Sequence, residues 1–308
     1  MDNNINLVII VGPTGVGKTT VSIELAKRLN GEIISADSRL FYKGMNIGTA
    51  KPTMDEIGRI KHHLIDVTDL NHIWSLSVFQ NESNKLIKTI TEHGKLPIMV
   101  GGTGQYIRAI TENWQVPEQK PDESMRKAIE KWGNVIGAKG LHDRLRVIDK
   151  KAAEMIDFRN QRRTIRALEV ALKTGFRFSH QRNKNKSPYN TIIIGIIRPR
   201  TELYDRIDKR IDLMFASGFV AEVDGLLQNG FEEQLRKVSA IGYMEVIQYL
   251  KGDMSLEETI KQIKRKTRIF VRRQANWFKP GDPKINWFSA NNQLLENIQS
   301  FITKKIYS

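Results

Sequence analysis

A glycine-rich stretch near the start of the chain has the composition of a phosphate-binding loop. Residues 12–19, GPTGVGKT, match the pattern G-x-x-x-x-G-K-[ST]. Glycines let backbone N–H groups converge on phosphate oxygens, and the helix that follows adds the positive end of its dipole. Lys18 would neutralise phosphate charge, and the Thr19 hydroxyl could bind Mg²⁺. The pattern predicts a di- or triphosphate site made of Gly12, Pro13, Thr14, Gly15, Val16, Gly17, Lys18, Thr19 and Thr20.

The loop does not by itself identify the molecule that carries the phosphates. A prenyl diphosphate presents much the same anion as the phosphate tail of ATP. On these residues alone, a kinase, a nucleoside triphosphatase and a transferase that displaces diphosphate all remain open.

Two further polar residues follow apolar stretches that have the character of buried strands. Asp37 comes directly after residues 32–36, and Thr103 lies in the turn GGTG at 101–104. Ligands of open parallel sheets bind beyond the carboxyl ends of the strands, so both side chains are expected near the phosphate loop. Asp37 could be a general base or a carboxylate beside a metal ion. Alternatively, Asp37 caps a helix over 38–42, and the glycine turn is merely a tight connection.

Short apolar runs that alternate with helical patterns predict the elements that hold these residues. Strands are expected at Leu7–Val11, Glu32–Ala36, Leu96–Val100 and Thr191–Ile197, with a weaker candidate at His63–Val67. Helices are expected at Lys18–Leu29 and Leu76–His93, and later at about 201–216, 218–229, 239–250 and 255–278. Alternation of this kind indicates a parallel sheet.

The central part of the chain has a different texture. Residues 113–187 are helical in pattern, basic and poor in strand signals. We therefore predict an α/β fold with a P-loop parallel-sheet core, residues 1–112 and 188–308, and helices on both faces of the sheet. The core is interrupted by an all-helical insertion, residues 113–187, and is followed by a helical C-terminal part.

Composition narrows the class of protein. The chain has 308 residues, a net charge of +15 and no cysteine. A disulfide framework, a thiolate nucleophile and a Cys-ligated metal centre are therefore excluded. No apolar run approaches the ~20 residues of a membrane helix, and the first residues do not resemble a signal peptide, so we expect no membrane association and a cytoplasmic protein.

The positive charge is concentrated in two segments. Residues 139–186 carry 14 basic residues against five acidic ones, and residues 261–284 carry nine against one. The rest of the chain is nearly neutral. This segregation is typical of a protein that binds a polyanion, and it favours nucleic acid over a merely solvated helix surface.

Eight motifs occur in order between about Asn6 and Phe288. They are GPTGVGKTT at 12–20, ADSRLFYKGMNIGTAKP at 36–52, HHLIDV at 62–67, PIMVGGTGQYI at 97–107, QRRTIRALEV at 161–170, YDRIDKRIDLM at 204–214, SAIGYMEVIQYLKG at 239–252 and RRQANWFK at 272–279. Each alone is weak evidence, but together, in this order, they resemble the tRNA dimethylallyltransferases, which prenylate the adenosine 3′ to the anticodon.

The resemblance implies a reaction and a role for each candidate residue. Dimethylallyl diphosphate would be the donor, Mg²⁺ the cofactor, and N6-(dimethylallyl)adenosine at tRNA position 37 the product, with release of diphosphate. Asp37 would take a proton from the adenine N6 amino group, and Thr103 would contact the target nucleotide. Lys18, Thr19 and Arg210 would hold the departing diphosphate.

Arg206 and Arg210 lie four residues apart in a predicted helix and so share one face. Local sequence alone favours a surface ion-pair ladder with Asp205, Asp208 and Asp212, which would contribute little. The resemblance assigns Arg210 to the diphosphate instead, with Arg206 as the alternative.

The resemblance also implies how tRNA is bound. The helical insertion would close over the anticodon stem-loop, and a monomer is the default expectation. The expected tRNA contacts are Asp37, Ser38, Arg39, Leu40, Thr103, Arg126, Gln161, Arg162, Arg163, Thr164, Ile165, Ser239, Ala240, Ile241, Gly242 and Tyr243.

Three other functions remain as alternatives. A P-loop kinase for a small molecule would transfer phosphate from ATP and would not need the two basic segments. An adenylate prenyltransferase would modify a free nucleotide. A non-catalytic RNA-binding P-loop protein would not need Asp37, Lys18, Thr19 and Arg210 together.

Overall fold

The chain consists of two compact units in the computed structural model, which describes residues 5–58, 60–116, 122–182 and 186–307. The core unit comprises Met1–Thr111 and Ser187–Ser308, and the insertion unit comprises Glu112–Lys186. No described helix combines the length and the apolar character that a bilayer crossing requires.

The core unit is built on a parallel sheet of six strands among the described residues. The strands are β1 (Ile5–Val11), β2 (Gly31–Ser35), β3 (His62–His63), β4 (Leu96–Val100), β5 (Tyr189–Ile197) and β6 (Ile285–Ser289). Their order across the sheet is β3-β2-β4-β1-β5-β6, and each neighbouring pair is parallel. Residues 7–11 of the central strand β1 are fully buried, as expected for an apolar strand covered on both faces.

Helices cover the sheet and form the insertion unit. In chain order they are α1 (Lys18–Arg28), α2 (Met54–Ile57), α3 (Leu76–Glu92), α4 (Gly104–Thr111), α5 (Glu123–Ile148), α6 (Lys150–Met155), α7 (Gln161–Thr174), α8 (Arg200–Ala216), α9 (Phe219–Gln228), α10 (Glu232–Val238), α11 (Tyr243–Leu250), α12 (Leu256–Gln274) and α13 (Leu294–Tyr307). The α/β fold with a parallel sheet is thereby confirmed.

Two predicted elements are shorter than expected because the backbone turns left-handed. The strand predicted at 63–67 is reduced to the two residues of β3, since Leu64 and Asp66 have φ of 60° and 54°. The helix predicted at 239–250 begins only at Tyr243, since Ser239 and Gly242 have φ of 54° and 103°. A helix cannot continue through such residues.

The described elements that the prediction missed include α2, α10, β6 and α13. Strand β6 is a short edge strand that pairs with β5 alone and follows the turn-rich stretch KPGDPK. Trp287 of β6 lies so close to β5 that a Cβ on Gly195 would be 2.4 Å from its ring. That contact joins residues far apart in sequence, so no local pattern announces it.

The insertion unit has an apolar core of its own, formed by residues of α5, α6 and α7. Helix α5 is broken at Gly137, which has φ 75° and ψ 165°. The buried carboxylate of Glu169 accepts hydrogen bonds of 2.8 Å from the Asp122 N–H, Arg126 Nε and Arg166 Nη1. Burial opposes ionisation of Glu169, but these three donors outweigh it and hold its pKa below the usual value.

Candidate active site

The phosphate loop joins β1 to α1 and requires glycine at its first position. Gly12 has φ of 149°, and a Cβ there would lie 2.7 Å from the carbonyl oxygen of Ile196 in β5. Gly17, which precedes the first residue of α1, has φ of 105°. The loop thereby delivers the chain to the N-terminus of α1, the end of a helix that binds anions.

Lys18 folds back over its own loop. Its Nζ donates to the carbonyl oxygens of Gly12, at 2.9 Å, and Pro13, at 3.0 Å. Burial lowers the pKa of Lys18 from 10.5 to about 8, an effect that the Asp37 carboxylate opposes and the Arg210 guanidinium reinforces. An anion in the loop would favour the charged form of this lysine.

Asp37 lies two residues beyond the end of β2, where its carboxylate closes a turn. Its Oδ1 accepts a hydrogen bond of 3.0 Å from the Arg39 N–H. The residues after it form a turn and not a helix, so the structure contradicts the alternative of a helix cap. The N–H of Ser38 donates to Oγ1 of Thr103 over 3.5 Å, which ties this turn to the one that follows β4.

The ends of β2 and β4 are in direct contact. A Cβ on Gly101 would lie 2.3 Å from the carbonyl oxygen of Ala36, so only glycine lets the two strand ends approach. Asp37 and Thr103 are therefore brought to the same carboxyl edge of the sheet, as predicted from the order of apolar runs.

Helix α8 presents three basic side chains to this edge, those of Arg206, Lys209 and Arg210. Arg206 Nε donates to the carbonyl oxygen of Gly15 at 2.9 Å, and Arg210 Nη2 donates to that of Thr49 at 3.4 Å. Burial lowers the pKa of Arg210, and the carboxylates of Asp37 and Glu56 oppose that shift. Both arginines are thus available to one anion, and the expected ion-pair ladder with the nearby aspartates is not formed by them.

A segment at residues 46–52 closes another side of the site. The carboxylate of Glu222 accepts hydrogen bonds from the backbone N–H groups of Asn46 (2.8 Å), Ile47 (2.6 Å) and Gly48 (3.2 Å). The hydroxyl of Tyr243 donates to the same carboxylate at 2.7 Å. Glu222 therefore holds the segment in place from within.

Together these elements enclose a pocket of about 420 Å³. Its polar and charged lining residues are Thr14, Lys18, Thr19, Thr20, Ser22, Ser35, Asp37, Thr49, His62, Arg206, Lys209 and Arg210. Apolar side chains of Ile33, Leu40, Ala50, Pro52, Ile65, Val100 and Leu213 complete it, with Gly15, Gly17 and Gly101. Such a lining can hold an anion that carries an apolar group.

Sequence reasoning identified the loop, Asp37, Leu40 and the two arginines in this lining. It assigned no role in the site to Lys209, His62 or the segment 49–52, although all three lie within the motifs. Of the loop residues expected to bind the donor, Gly12, Pro13 and Val16 do not line the pocket, and the side chain of Val16 is buried in the core.

Residues 239–243 lie beside the turn that contains Asp37. The Arg39 guanidinium donates to the carbonyl oxygens of Val238 and Ser239, the latter at 3.3 Å. Ala240 and Tyr243 are buried and support the segment from inside, and their contact with tRNA stays a prediction. The other residues of this segment that are expected to contact tRNA are Ser239, Ile241 and Gly242.

The remaining expected tRNA contacts lie in the insertion unit. Arg162 and Arg163 are exposed in the first turn of α7, and Gln161 is half-buried. Thr164 and Ile165 are buried, and their contact with tRNA stays a prediction. Arg126 pairs with Glu169 and keeps about a third of its side chain exposed (34%).

Two residues of the pocket offer oxygen atoms of the kind that bind Mg²⁺. Among the described residues, no group of three or more His, Cys, Asp and Glu side chains could hold a metal ion. Thr19, an exposed residue, and Asp37 both line the pocket. Hard oxygen donors of this kind, completed by ligand phosphates and water, are typical of Mg²⁺ sites.

Comparison with known proteins agrees with this geometry. Residues 40–281 match the family model of the IPP transferases. A tRNA dimethylallyltransferase of Roseiflexus sp. is 46% identical over 89% of this chain and 90% of its own length. The tRNA dimethylallyltransferase of Halalkalibacterium halodurans is 42% identical over 97% of each chain.

Solved structures show the same likeness. The full-length tRNA isopentenylpyrophosphate transferase of Bacillus halodurans is 41% identical, covers 98% of this chain and 97% of its own, and superimposes with a TM-score of 0.73. A eukaryotic dimethylallyltransferase, described as acting on tRNA, is 27% identical with a TM-score of 0.82 over 98% of this chain and 79% of its own. By identity, coverage and fold, this chain belongs to the IPP transferase family, the prenyl-transferring enzymes named tRNA dimethylallyltransferases.

Proposed function

We propose that this chain transfers the dimethylallyl group of dimethylallyl diphosphate to N6 of adenosine 37, the nucleotide 3′ to the anticodon of a tRNA. One observation carries the proposal: a single pocket combines the phosphate loop, a carboxylate, three basic side chains and apolar walls. A small-molecule kinase would need the loop, but it would not need the two basic segments at 139–186 and 261–284. The names of the relatives support the same reaction.

The donor would lie with its diphosphate against the loop. Lys18 and Arg210, with Arg206 beside them, would balance the charge that grows on the diphosphate as it leaves. Apolar residues such as Ile33 and Leu213 would surround the five-carbon group and exclude water from it. The allylic carbon would then face the edge of the sheet where Asp37 lies.

Asp37 would serve as the general base. Adenine N6 is a poor nucleophile because its lone pair is delocalised into the ring, and proton transfer to a positioned carboxylate offsets this. As the bond between N6 and the allylic carbon forms, the bond between that carbon and the diphosphate oxygen breaks, and the N6 proton passes to Asp37. Thr103, tied to the same turn through Ser38, would contact the target nucleotide.

The Thr19 hydroxyl and the donor's phosphate oxygens would hold Mg²⁺, with Asp37 nearby. When bound, the ion would neutralise negative charge on the diphosphate. The protein would also neutralise this charge with the side chains of Lys18, Arg206 and Arg210, which is consistent with their position around the loop.

The tRNA would be held by exposed basic residues and would present its target base outside the helical stack. Arg162 and Arg163 of the insertion unit and the exposed residues 272–273 of α12 are suited to phosphate contacts. A base within a stacked loop cannot reach a pocket at a sheet edge, so adenosine 37 must be flipped out. We place the reaction in the cytoplasm and assign it to a single chain acting as a monomer.

The test uses purified protein, Mg²⁺, unmodified tRNA and radiolabelled dimethylallyl diphosphate, with AMP as a parallel acceptor. We expect label in tRNA at adenosine 37 and none in AMP. Label in AMP would instead indicate a nucleotide prenyltransferase. Consumption of ATP without prenyl transfer would indicate a kinase and contradict the proposal.

A further inference from the structure

Gln274, the last residue of α12, links the phosphate loop to the GGTG turn at 101–104. Its Oε1 accepts a hydrogen bond of 2.9 Å from the N–H of Thr14, and its Nε2 donates to the carbonyl oxygen of Gly102 at 3.3 Å. The two partners dictate the orientation of the amide, because an N–H must donate and a carbonyl oxygen must accept. The side chain is buried, with 4% of its surface exposed.

The turn is shaped to receive this amide. A Cβ on Gly102 would lie 2.2 Å from Gln274 Nε2, whereas the next neighbours, Cδ of the same side chain and the carbonyl oxygen of Gly12, are 3.4 and 3.8 Å away. The backbone of Gly102 is not left-handed, so the Gln274 amide is the obstacle to a larger residue there. Glycine at 102 therefore makes room for Gln274.

The helix that carries Gln274 is itself anchored to the core unit. Arg268 pairs with Asp208 of α8, and Lys264 pairs with Asp212 of α8 at 2.7 Å. Helix α8 also carries Arg206 and Arg210. The amide of Gln274 is therefore presented from a helix that is fixed to the wall of the pocket.

We propose that Gln274 is a positioning residue: it sets the distance between the loop that binds the diphosphate and the turn that carries Thr103. This inference rests on the proposed function, in which the loop holds the donor and the turn contacts the acceptor. A carboxamide suits the task because it satisfies one N–H and one carbonyl at once. Neither a hydrocarbon nor a carboxylate of similar size can satisfy both.

The first test separates the two hydrogen bonds. Gln274→Met removes both at nearly constant volume, and Gln274→Glu keeps an acceptor for Thr14 but sets an oxygen against the Gly102 carbonyl. We expect kcat for prenyl transfer to fall about tenfold or more in Gln274→Met, because misplacement of bound reactants slows the chemical step. The KM for tRNA should stay within about twofold of the wild type, since no tRNA contact is removed.

The matched control is Gln262→Met, the same change on the same helix. The amide of Gln262 donates to the carboxylate of Glu258 at 2.8 Å, and Gln262 does not line the pocket. This variant should keep the wild-type kcat. If Gln274→Met also keeps the wild-type kcat and changes only the melting temperature, its role is structural and the proposal is wrong.

The second test approaches the contact from the opposite side. Gly102→Ala places a methyl group on the Gln274 amide and should lower kcat as the Gln274 variants do. In a Gln274→Ala background the obstacle is gone, so adding Gly102→Ala should then lower kcat by less than about twofold. Fully independent effects of the two changes would overturn the proposal. Should either Gln274→Met or Gln274→Ala fail to fold, Gln274→Glu and Gly102→Ala still decide the question through kcat.

A binding measurement separates this proposal from the proposed function. Inorganic diphosphate with Mg²⁺ is titrated calorimetrically into wild type and Gln274→Met. The variant should bind it at least about threefold more weakly, because the loop loses an anchor. Equal affinities would refute the role of Gln274. If the wild type binds diphosphate but never prenylates tRNA, the proposed function fails, and this titration still decides on Gln274.

Discussion

Asp37 is the residue on which the proton-transfer step depends. In Asp37→Asn the amide oxygen can still accept from the Arg39 N–H, so the turn is retained, but the base is lost. We expect kcat to fall by a factor of about 10²–10⁴, with tRNA affinity unchanged. Single-turnover prenyl transfer and a tRNA binding assay measure the two quantities. Asp253→Asn, at an exposed aspartate outside the pocket, is the control. Near wild-type transfer by Asp37→Asn would mean that another group takes the proton.

Lys18 predicts a pH dependence of diphosphate binding. Its pKa of about 8 in the free protein means that the side chain loses its charge above pH 8, while a bound anion would restore it. Binding therefore takes up a proton above pH 8, and the dissociation constant should rise about tenfold per pH unit there.

Calorimetric titration of inorganic diphosphate with Mg²⁺ between pH 7 and 9.5 measures this dependence. Lys18→Arg keeps its charge throughout, so only titration of the ligand should remain in that variant. The same pH profile in both proteins would contradict the assignment.

The site residues that can be predicted from the sequence are those that lie within a recognisable local pattern. The glycines before Lys18 and the apolar run before Asp37 are local patterns, and the strand order then brought them together. Glu222 and Gln274 carry no such signal, because each acts on backbone groups distant in sequence. Lys209 was overlooked although Arg206 and Arg210 on the same helix were not.

At the scale of elements, Glu169 holds the insertion unit together through α5 and α7. Glu169→Gln would leave Arg126 and Arg166 without a counter-charge. Loss of one partner of a buried ion pair lowers stability by about 3–5 kcal/mol. We expect the free energy of local opening to fall by about 2 kcal/mol here, because both arginines are partly exposed. Native-state hydrogen exchange of the α7 amides measures the free energy of local opening.

The effect of Glu169 should also depend on pH. Because folding lowers the pKa of this carboxyl, its contribution is complete above the unfolded value of 4.5 and is lost as the pH falls through the lower folded value. The free energies of local opening of wild type and Glu169→Gln should therefore differ most near neutral pH and become equal in acid. Glu154→Gln, at an exposed glutamate of α6, should match the wild type throughout. A constant difference from pH 7 to pH 3 would contradict this account.

The elements that the sequence predicts well are those with strong internal periodicity. The buried strands β1, β4 and β5 are largely apolar, which is typical of parallel strands covered on both faces. Helix α13 has the helical spacing of Leu294, Ile298 and Ile302, all buried, so its signal was present but overlooked. By contrast, β6 is half-buried and lies at an edge, and only its pairing with β5 makes it a strand.

At the scale of the whole molecule, the basic residues of α12 differ in whether they pair with another helix or face solvent. Lys264 and Arg268 are paired with α8, whereas Arg272 and Arg273 are exposed. Double substitution of Arg272 and Arg273 by Gln should weaken tRNA binding. It should also flatten the dependence of log Kd on log salt by about 0.7–0.9 for each phosphate that the variant no longer neutralises.

Filter binding between 50 and 300 mM salt measures that slope. Lys27→Gln, at an exposed lysine of α1 that pairs with Glu24 at 2.7 Å, should leave the slope unchanged. An unaltered slope in the double variant would exclude this end of α12 from the tRNA interface.

The position of β1 in the sheet determines when the core unit can fold. This strand hydrogen-bonds β4 on one side and β5 on the other, and β5 emerges from the ribosome only after the entire insertion unit has been synthesised. Until then one edge of β1 has no partner, and such edges invite pairing with other chains. The insertion unit, which has its own apolar core, can fold while the first half of the core unit still waits. We therefore expect nascent chains that stop before Tyr189 to depend on chaperones, and the order of events in synthesis to run from the insertion outward.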